Sequence, residues 1–249
     1  MNLSNNTVLV TGGSSGIGLA IAKRFLDAGS QTIVCGRRAD KLAEARAAYP
    51  GLATRVADIA DATSREKLIA WTIAEYPNFN VLVNNAGIQR RERFATDTAD
   101  WSSRQQEIAT NLEAPIHLAA LVLKHFSGRS QAAIINISSG LAFVPFPSAP
   151  IYSATKAAIH SFSMSLRAEL DDSSIQVIEI VPPAVNTELG GAGIHTSGVP
   201  VDDFANSVMA RVAAGELEVG YGFAETVRRA SREQLDDRFA EFVASMNKV

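Results

Sequence analysis

A single cysteine, Cys35, occurs in the 249 residues. No intrachain disulfide can form. Its place in the apolar run Thr32-Ile33-Val34-Cys35 makes it a small buried hydrophobe rather than a reactive thiol. The four histidines, His117, His125, His160 and His195, are scattered without metal-ligand spacing, so no metal centre is expected. His160 and the two tryptophans, Trp71 and Trp101, read as packing residues, and His195 reads as a solvated loop residue. Neither sign of charge dominates: 23 Lys+Arg stand against 26 Asp+Glu, for a net charge of −3. The basic face that nucleic-acid binding requires is therefore not expected. No apolar stretch approaches the ~18–20 residues of a membrane span; the longest, residues 116–123, is bounded by Glu113 and Lys124. The first residues, Met1-Asn2-Leu3-Ser4-Asn5-Asn6, carry neither the basic nor the apolar region of a secretory signal. A soluble cytoplasmic protein without membrane or nucleic-acid partners is the expectation.

What the chain does contain is a large apolar share, 47%, against 20% charged residues, enough for a sizeable core. Short apolar runs at 7–10, 32–35, 54–57, 81–84, 133–138, 176–181 and 217–219 read as buried strands. Helical patterns lie between them, at 17–28, 64–76, 99–126 and 151–170, with a C-terminal amphipathic helix at 224–246 carrying Val227, Leu235, Phe239, Phe242 and Val243. Repeated β–α units predict an α/β fold: one Rossmann-type, doubly wound domain over residues 1–249, its parallel sheet of about seven strands flanked by helices on both faces. No linker, repeat or low-complexity block divides it. Residues 186–200, rich in Gly, Thr and Ser, read as a mobile substrate loop.

Chemistry begins at the first turn. Thr11-Gly12-Gly13-Ser14-Ser15-Gly16-Ile17-Gly18 separates the first strand from the first helix. Glycines there let the backbone approach a pyrophosphate, and the helix N-terminus offers free N–H groups and a favourable dipole. After the second strand comes Gly36-Arg37-Arg38, where a binder of NAD would carry an acid for the ribose 2′-hydroxyl. Two guanidinium groups suit a 2′-phosphate instead, so NADP(H) is expected over NAD(H), with Arg37 the main ligand and Arg38 beside it.

Tyr152 and Lys156 are four residues apart in a helical segment and share a face. A lysine ammonium beside a phenol favours phenolate, and the expectation is that Lys156 lowers the Tyr152 pKa and makes it a general acid/base. Pro115 follows Asn111 by four residues. Lacking an N–H, it deprives the Asn111 carbonyl of its helical partner, so a kink and a bound water are expected there.

In this ordered set — Thr11 to Gly18, Asn84-Asn85-Ala86-Gly87, Asn111, Ser139, Tyr152 and Lys156 — the chain resembles the short-chain dehydrogenase/reductase family, from Thr7 to about Val219. The resemblance implies an oxidoreductase acting on a carbonyl or secondary alcohol. It makes Tyr152 the acid/base and has Lys156 tune it and bind the nicotinamide ribose. Ser139, thirteen residues before the tyrosine, would hold the substrate oxygen, and a water on Asn111 would extend the proton path. For the cofactor it implies Gly12, Ser14, Ser15, Gly16, Ile17 and Gly18 at the pyrophosphate, Asp58 and Ile59 at the adenine, and Asn85 and Gly87 along its ribose. Pro182, Val185 and Thr187 would lie at the nicotinamide end. Pro183 stands where the family has glycine, which leaves the path of that loop open. Pairing into a homodimer or homotetramer is implied by the same analogy.

The substrate is a small molecule that these motifs do not name. The segments 88–94, 141–150 and 186–200 would select it, the second being a stiff apolar wall with Phe143, Pro145, Phe146, Pro147 and Pro150. Gln89-Arg90-Arg91-Glu92-Arg93 reads as a solvated charged loop; an arginine turned to the cleft would instead favour an acidic or phosphorylated substrate. Two other readings compete: an NADP(H)-binding regulator without turnover, which would not need the complete catalytic set, and an epimerase or dehydratase, for whose larger substrate domain 249 residues leave little room.

Overall fold

The computed structural model describes residues 1–246; the last three residues of the expected domain lie outside the described residues. Seven strands form one parallel sheet: β1 (Thr7–Thr11), β2 (Gln31–Gly36), β3 (Leu52–Val56), β4 (Val81–Asn84), β5 (Ala132–Ile137), β6 (Ile175–Val181) and β7 (Glu218–Gly220). Their order is β3-β2-β1-β4-β5-β6-β7. Strand order reverses between β1 and β4, and at such a point the loops leave a crevice beyond the carboxyl ends of the strands.

Side-chain alternation sorts the core. Val8, Val10, Val81 and Val83 point to one face and meet Ile21 and Phe25 of α1 (Gly16–Asp27) and Phe204 and Val208 of α7 (Val201–Ala213). Leu9, Leu82 and Ile134 point to the other and meet Leu68 of α3 (Ala62–Glu75) and Leu118 and Val122 of α5 (Ala114–Phe126). Covered on both faces, the strands read as continuous apolar runs, which is why their positions were legible. One polar row crosses the second face: Asn84, Asn136, Glu179 and Glu218 are register neighbours across β4 to β7, beneath α6 (Pro150–Glu169).

The helices depart from expectation in four places. Helix α2 (Ala39–Ala48) buries only Leu42 and Ala45, so it shows almost no apolar stripe. Helix α7, absent from the expected elements, buries Phe204, Val208, Met209 and Val212 at helical spacing after the acidic first turn Asp202-Asp203. The long helix at 99–126 is three pieces: α4 (Trp101–Ile108), a π-helical turn over Ala109–Glu113, and α5. Pro115 is thus accommodated by a turn in which the Ala114 N–H reaches back to the Ala109 carbonyl, rather than by a simple kink. The C-terminal helix is α8 (Phe223–Val227) followed by α9 (Arg232–Met246). Phe242 of α9 packs on Phe146 and Phe223, while Phe239 and Val243 remain exposed. Among the described residues no helix is long and apolar enough to cross a membrane.

Candidate active site

A cavity of about 600 Å³ opens along the carboxyl ends of the strands. Of the expected site residues, Gly12, Ser14 to Gly18, Arg37, Arg38, Asp58, Ile59, Asn85, Gly87, Ser139, Tyr152, Lys156, Pro182 and Thr187 line it. Asn111 and Val185 do not. Val185 is buried and bridges to Val199 inside the 186–200 segment.

The Gly-rich turn is shaped for close approach. Gly12 has φ +63°, and a Cβ there would lie 2.7 Å from the Ala86 Cα. A Cβ on Gly18 would meet the Asn85 Nδ2 at 2.3 Å. That amide is already occupied, donating to the Thr11 and Gly12 carbonyls at 2.9 and 3.2 Å. Asn85 therefore braces the turn, a role additional to the expected one at the ribose. The first turn of α1 has no side-chain cap and no acidic residue, so its N–H groups stay free for an anion. At the far end Arg37 and Arg38 are exposed, and neither enters an ion pair among the described residues. Glycines that leave room for a pyrophosphate, an uncapped helix start and two unpaired guanidinium groups fit a phosphorylated dinucleotide.

The opposite end holds the catalytic candidates. Ser139 hydrogen-bonds the Tyr152 phenol and accepts from the Leu141 N–H at 3.1 Å. Its neighbour Ser138 also lines the cavity, but its hydroxyl turns to the Ile180 carbonyl at 3.5 Å. Lys156 lies 5.6 Å from the Tyr152 ring centroid, but its Nζ donates to the Ile137 carbonyl at 2.7 Å. The expected depression of the tyrosine does not occur in this structure. Burial pushes the phenol up to about 12, outweighing the Ser139 hydrogen bond, with the charge of Glu107 adding to the rise. Burial likewise brings Lys156 down to about 8, opposed by Glu179. Tyr152 thus stands as a neutral phenol, a proton donor.

The Asn111 side chain faces the β4 loop: it accepts from the Ile88 N–H at 2.8 Å and donates to the Ile88 carbonyl at 2.7 Å. Its Nδ2 also donates to the Thr155 Oγ1 at 3.3 Å, and Pro115, lacking an N–H, cannot serve the Asn111 main-chain carbonyl.

Three contributors went unnoticed in the sequence. Glu107 is wholly buried, one helical turn before Asn111, with Oε1 accepting from the Arg90 N–H at 3.3 Å and Oε2 unpartnered among the described residues; burial lifts it to about 7. Its spacing from Asn111 was the available signal. Glu179 is fully buried and pairs with His160 at 2.9 Å, so His160 is an ion-pair partner rather than simple packing. Arg65, 1% exposed, donates to the Ile59 carbonyl at 2.9 Å and so holds the adenine-side loop. No periodicity distinguishes it from a solvated helix residue. Two further expectations fail: His195 is buried, its Nε2 3.0 Å from the Gln89 Oε1, and Trp101 is 60% exposed.

The sequence model described as short chain dehydrogenase matches residues 6–196. This chain belongs to the short-chain dehydrogenase family. An uncharacterized oxidoreductase, DltE, of Bacillus subtilis (strain 168) is 42% identical, covering 99% of this chain and 100% of its own length. The NADP-dependent 3-hydroxy acid dehydrogenase YdfG of Escherichia coli (strain K12) is 32% identical over 72% of each chain. Among solved structures, the closed form of serine dehydrogenase complexed with NADP+ superposes with a TM-score of 0.77 at 28% identity, covering 86% of this chain and 94% of that one. As a member of the short-chain dehydrogenases, the protein is an oxidoreductase acting on small molecules with a nicotinamide cofactor.

Proposed function

We propose that the protein is an NADP(H)-dependent oxidoreductase interconverting a carbonyl and a secondary alcohol, with Tyr152 as general acid/base. One observation carries the reading: a single cavity joins the Gly12–Gly18 turn and Arg37 to the Ser139–Tyr152–Lys156 group. When bound, NADP(H) supplies or accepts the hydride. The chain's own residues position and polarise. Ser139 and the Tyr152 hydroxyl, already hydrogen-bonded to each other, form a two-donor seat for the substrate oxygen, on which negative charge grows as the carbonyl is reduced. The buried neutral phenol then gives up its proton to that oxygen, and the ammonium of Lys156 stabilises the phenolate left behind. The Asn111 carbonyl holds the water that returns a proton. Gly87 and Ile88, clamped by the Asn111 side chain, fix the floor between the two ends. The compounds for which two of the relatives are named, 3-hydroxy acids and serine, each carry a hydroxyl group, in keeping with this class. Association into a dimer or tetramer accompanies the reading by analogy alone.

Tyr152→Phe tests it, because phenylalanine keeps the ring and removes the proton. NADPH oxidation over a panel of ketones, aldehydes and oxo acids should fall about 10²- to 10⁴-fold, with NADPH affinity within a few-fold of the parent. Turnover at the parental rate would refute the assignment. Intact NADPH binding with no turnover on any carbonyl or alcohol would point to the binding protein without catalysis.

A further inference from the structure

Beyond Tyr152 two loops adjoin the cavity: the loop after β4 lines it with residues 85–90 and runs on through 91–100, and the loop after β5 lines it with Ser138 and Ser139 and runs on through 140–149. The Glu92 N–H ties them, donating to the Ser148 carbonyl at 2.7 Å. Four arginines and two acids meet there: Arg90, Arg91, Arg93 and Arg104 against Glu92 and Asp97. Both acids are taken. Glu92 pairs with Arg90 at 3.2 Å and Arg104 at 3.3 Å; Asp97 pairs with Arg104 at 2.9 Å and Arg90 at 4.0 Å. Arg91 and Arg93 are left with no ion pair among the described residues, so the loop after β4 carries uncompensated positive charge.

Of these two, Arg91 has the defined setting. Its guanidinium lies 5.9 Å from the centroid of the Phe146 ring, and Phe146 is anchored through its N–H to the Ser153 Oγ at 3.0 Å, next to Tyr152. Its charge also reaches His195, where burial first and Arg91 second pull the imidazole below its ordinary value. That imidazole is fastened to Gln89, which lines the cavity. Exposed, near an aromatic face and in no ion pair among the described residues, the Arg91 guanidinium is open to an incoming anion. One such fork matches one carboxylate in bidentate geometry.

We propose that Arg91 is the subsite for a carboxylate on the substrate, so that the enzyme reduces oxo acids in preference to neutral ketones. The proposal rests on the oxidoreductase reading above and adds a substrate class to it. Arg90, although it lines the cavity, is neutralised by Glu92 and Asp97 and does not serve.

The test compares acetoacetate with its methyl ester, a neutral analogue with the same reacting carbonyl, under saturating NADPH. The parent should favour the acid by more than about tenfold in kcat/KM. Arg91→Gln should lower the acid roughly 10- to 100-fold, mainly through KM, and the ester by less than about threefold. Arg91→Lys should restore part of the loss, and Arg93→Gln should match the parent. Equal effects on acid and ester, or an unaffected acid, would overturn the subsite while leaving the oxidoreductase reading intact. A second measurement needs no turnover. The compound 3-hydroxy-3-methylbutanoate has a carboxylate but no hydride to give, and its binding to the NADP-loaded protein is read by calorimetry. Arg91→Gln should weaken it about tenfold or more. Unchanged binding overturns the subsite, whereas weakened binding without turnover of any carbonyl keeps the subsite and sinks the oxidoreductase reading.

Discussion

Arg37→Ala should convert a preference for NADPH into near-indifference between the two nicotinamide cofactors. Arg37 and Arg38 follow β2 directly and close one end of the cavity, both exposed and neither in an ion pair among the described residues. A 2′-phosphate placed there meets no competing carboxylate in an ion pair. It also meets the start of α2, whose first turn has no side-chain cap and adds a favourable dipole, partly offset by Asp40 in the same turn. A hydrogen bond to a charged group contributes about 1.5–3 kcal/mol when sheltered. For an exposed guanidinium solvent screening brings this down to about 1–2 kcal/mol, or roughly 5- to 30-fold in affinity. NADH, with a hydroxyl in place of the phosphate, should change by less than about twofold. The assay is a fluorescence titration of both cofactors on the parent, Arg37→Ala and Arg38→Ala. It is run at about 0.01 M and 1 M salt, where the Debye length shrinks from about 30 to 3 Å. Salt should erode the NADPH advantage of the parent and leave Arg37→Ala nearly flat. Equal loss of NADPH and NADH in Arg37→Ala, or tighter NADH binding by the parent, would refute the reasoning.

Two further outcomes follow from buried charges. Glu179 opposes the fall of Lys156 and raises His160 chiefly through their hydrogen bond. In Glu179→Gln both groups should release their protons at lower pH. Lys156 already sits near 8, so the basic limb of kcat/KM for reduction, where the ammonium is lost as pH rises, should move toward neutrality. A limb that stays in place would remove Lys156 from the titration. Arg65→Met strands the Ile59 carbonyl without its donor while its partner Glu113 keeps solvent. Denaturant unfolding should show a loss of about 1–3 kcal/mol, and a change under about 0.5 kcal/mol would show that water replaces the guanidinium.

Legibility tracked the physics of each element. The Gly-rich turn was readable because close backbone approach admits almost nothing but glycine at Gly12 and Gly18, and the structure shows the atoms that enforce it. Strands β1, β4 and β5 were readable because both faces are covered. Helix α2 was not, since two buried side chains make no stripe. The spacing of Tyr152 and Lys156 implied a shared helix face, and both line one cavity, yet the tyrosine pKa moves opposite to the direction argued from that spacing. It weighed one neighbouring charge and could not weigh burial, which sets in only when α6 closes over β5 and β6.

The sequence by itself determined the local chemistry: a turn that lets an anion approach, a guanidinium pair where an acid would select NAD, and a phenol one helical turn from an ammonium. Those are properties of spacing along the chain, fixed by helical and strand periods. The tertiary structure alone decided which charges survive. It pairs Arg90 and Arg104 with Glu92 and Asp97 and leaves Arg91 in no ion pair among the described residues, buries Glu107 and Glu179 near Tyr152 and Lys156, and latches His195 onto Gln89. Burial of Glu107 and Glu179 and the His195–Gln89 contact join residues far apart in sequence, and although Arg90 and Glu92 are two residues apart, only the folded loop brings Arg104 to share that carboxylate.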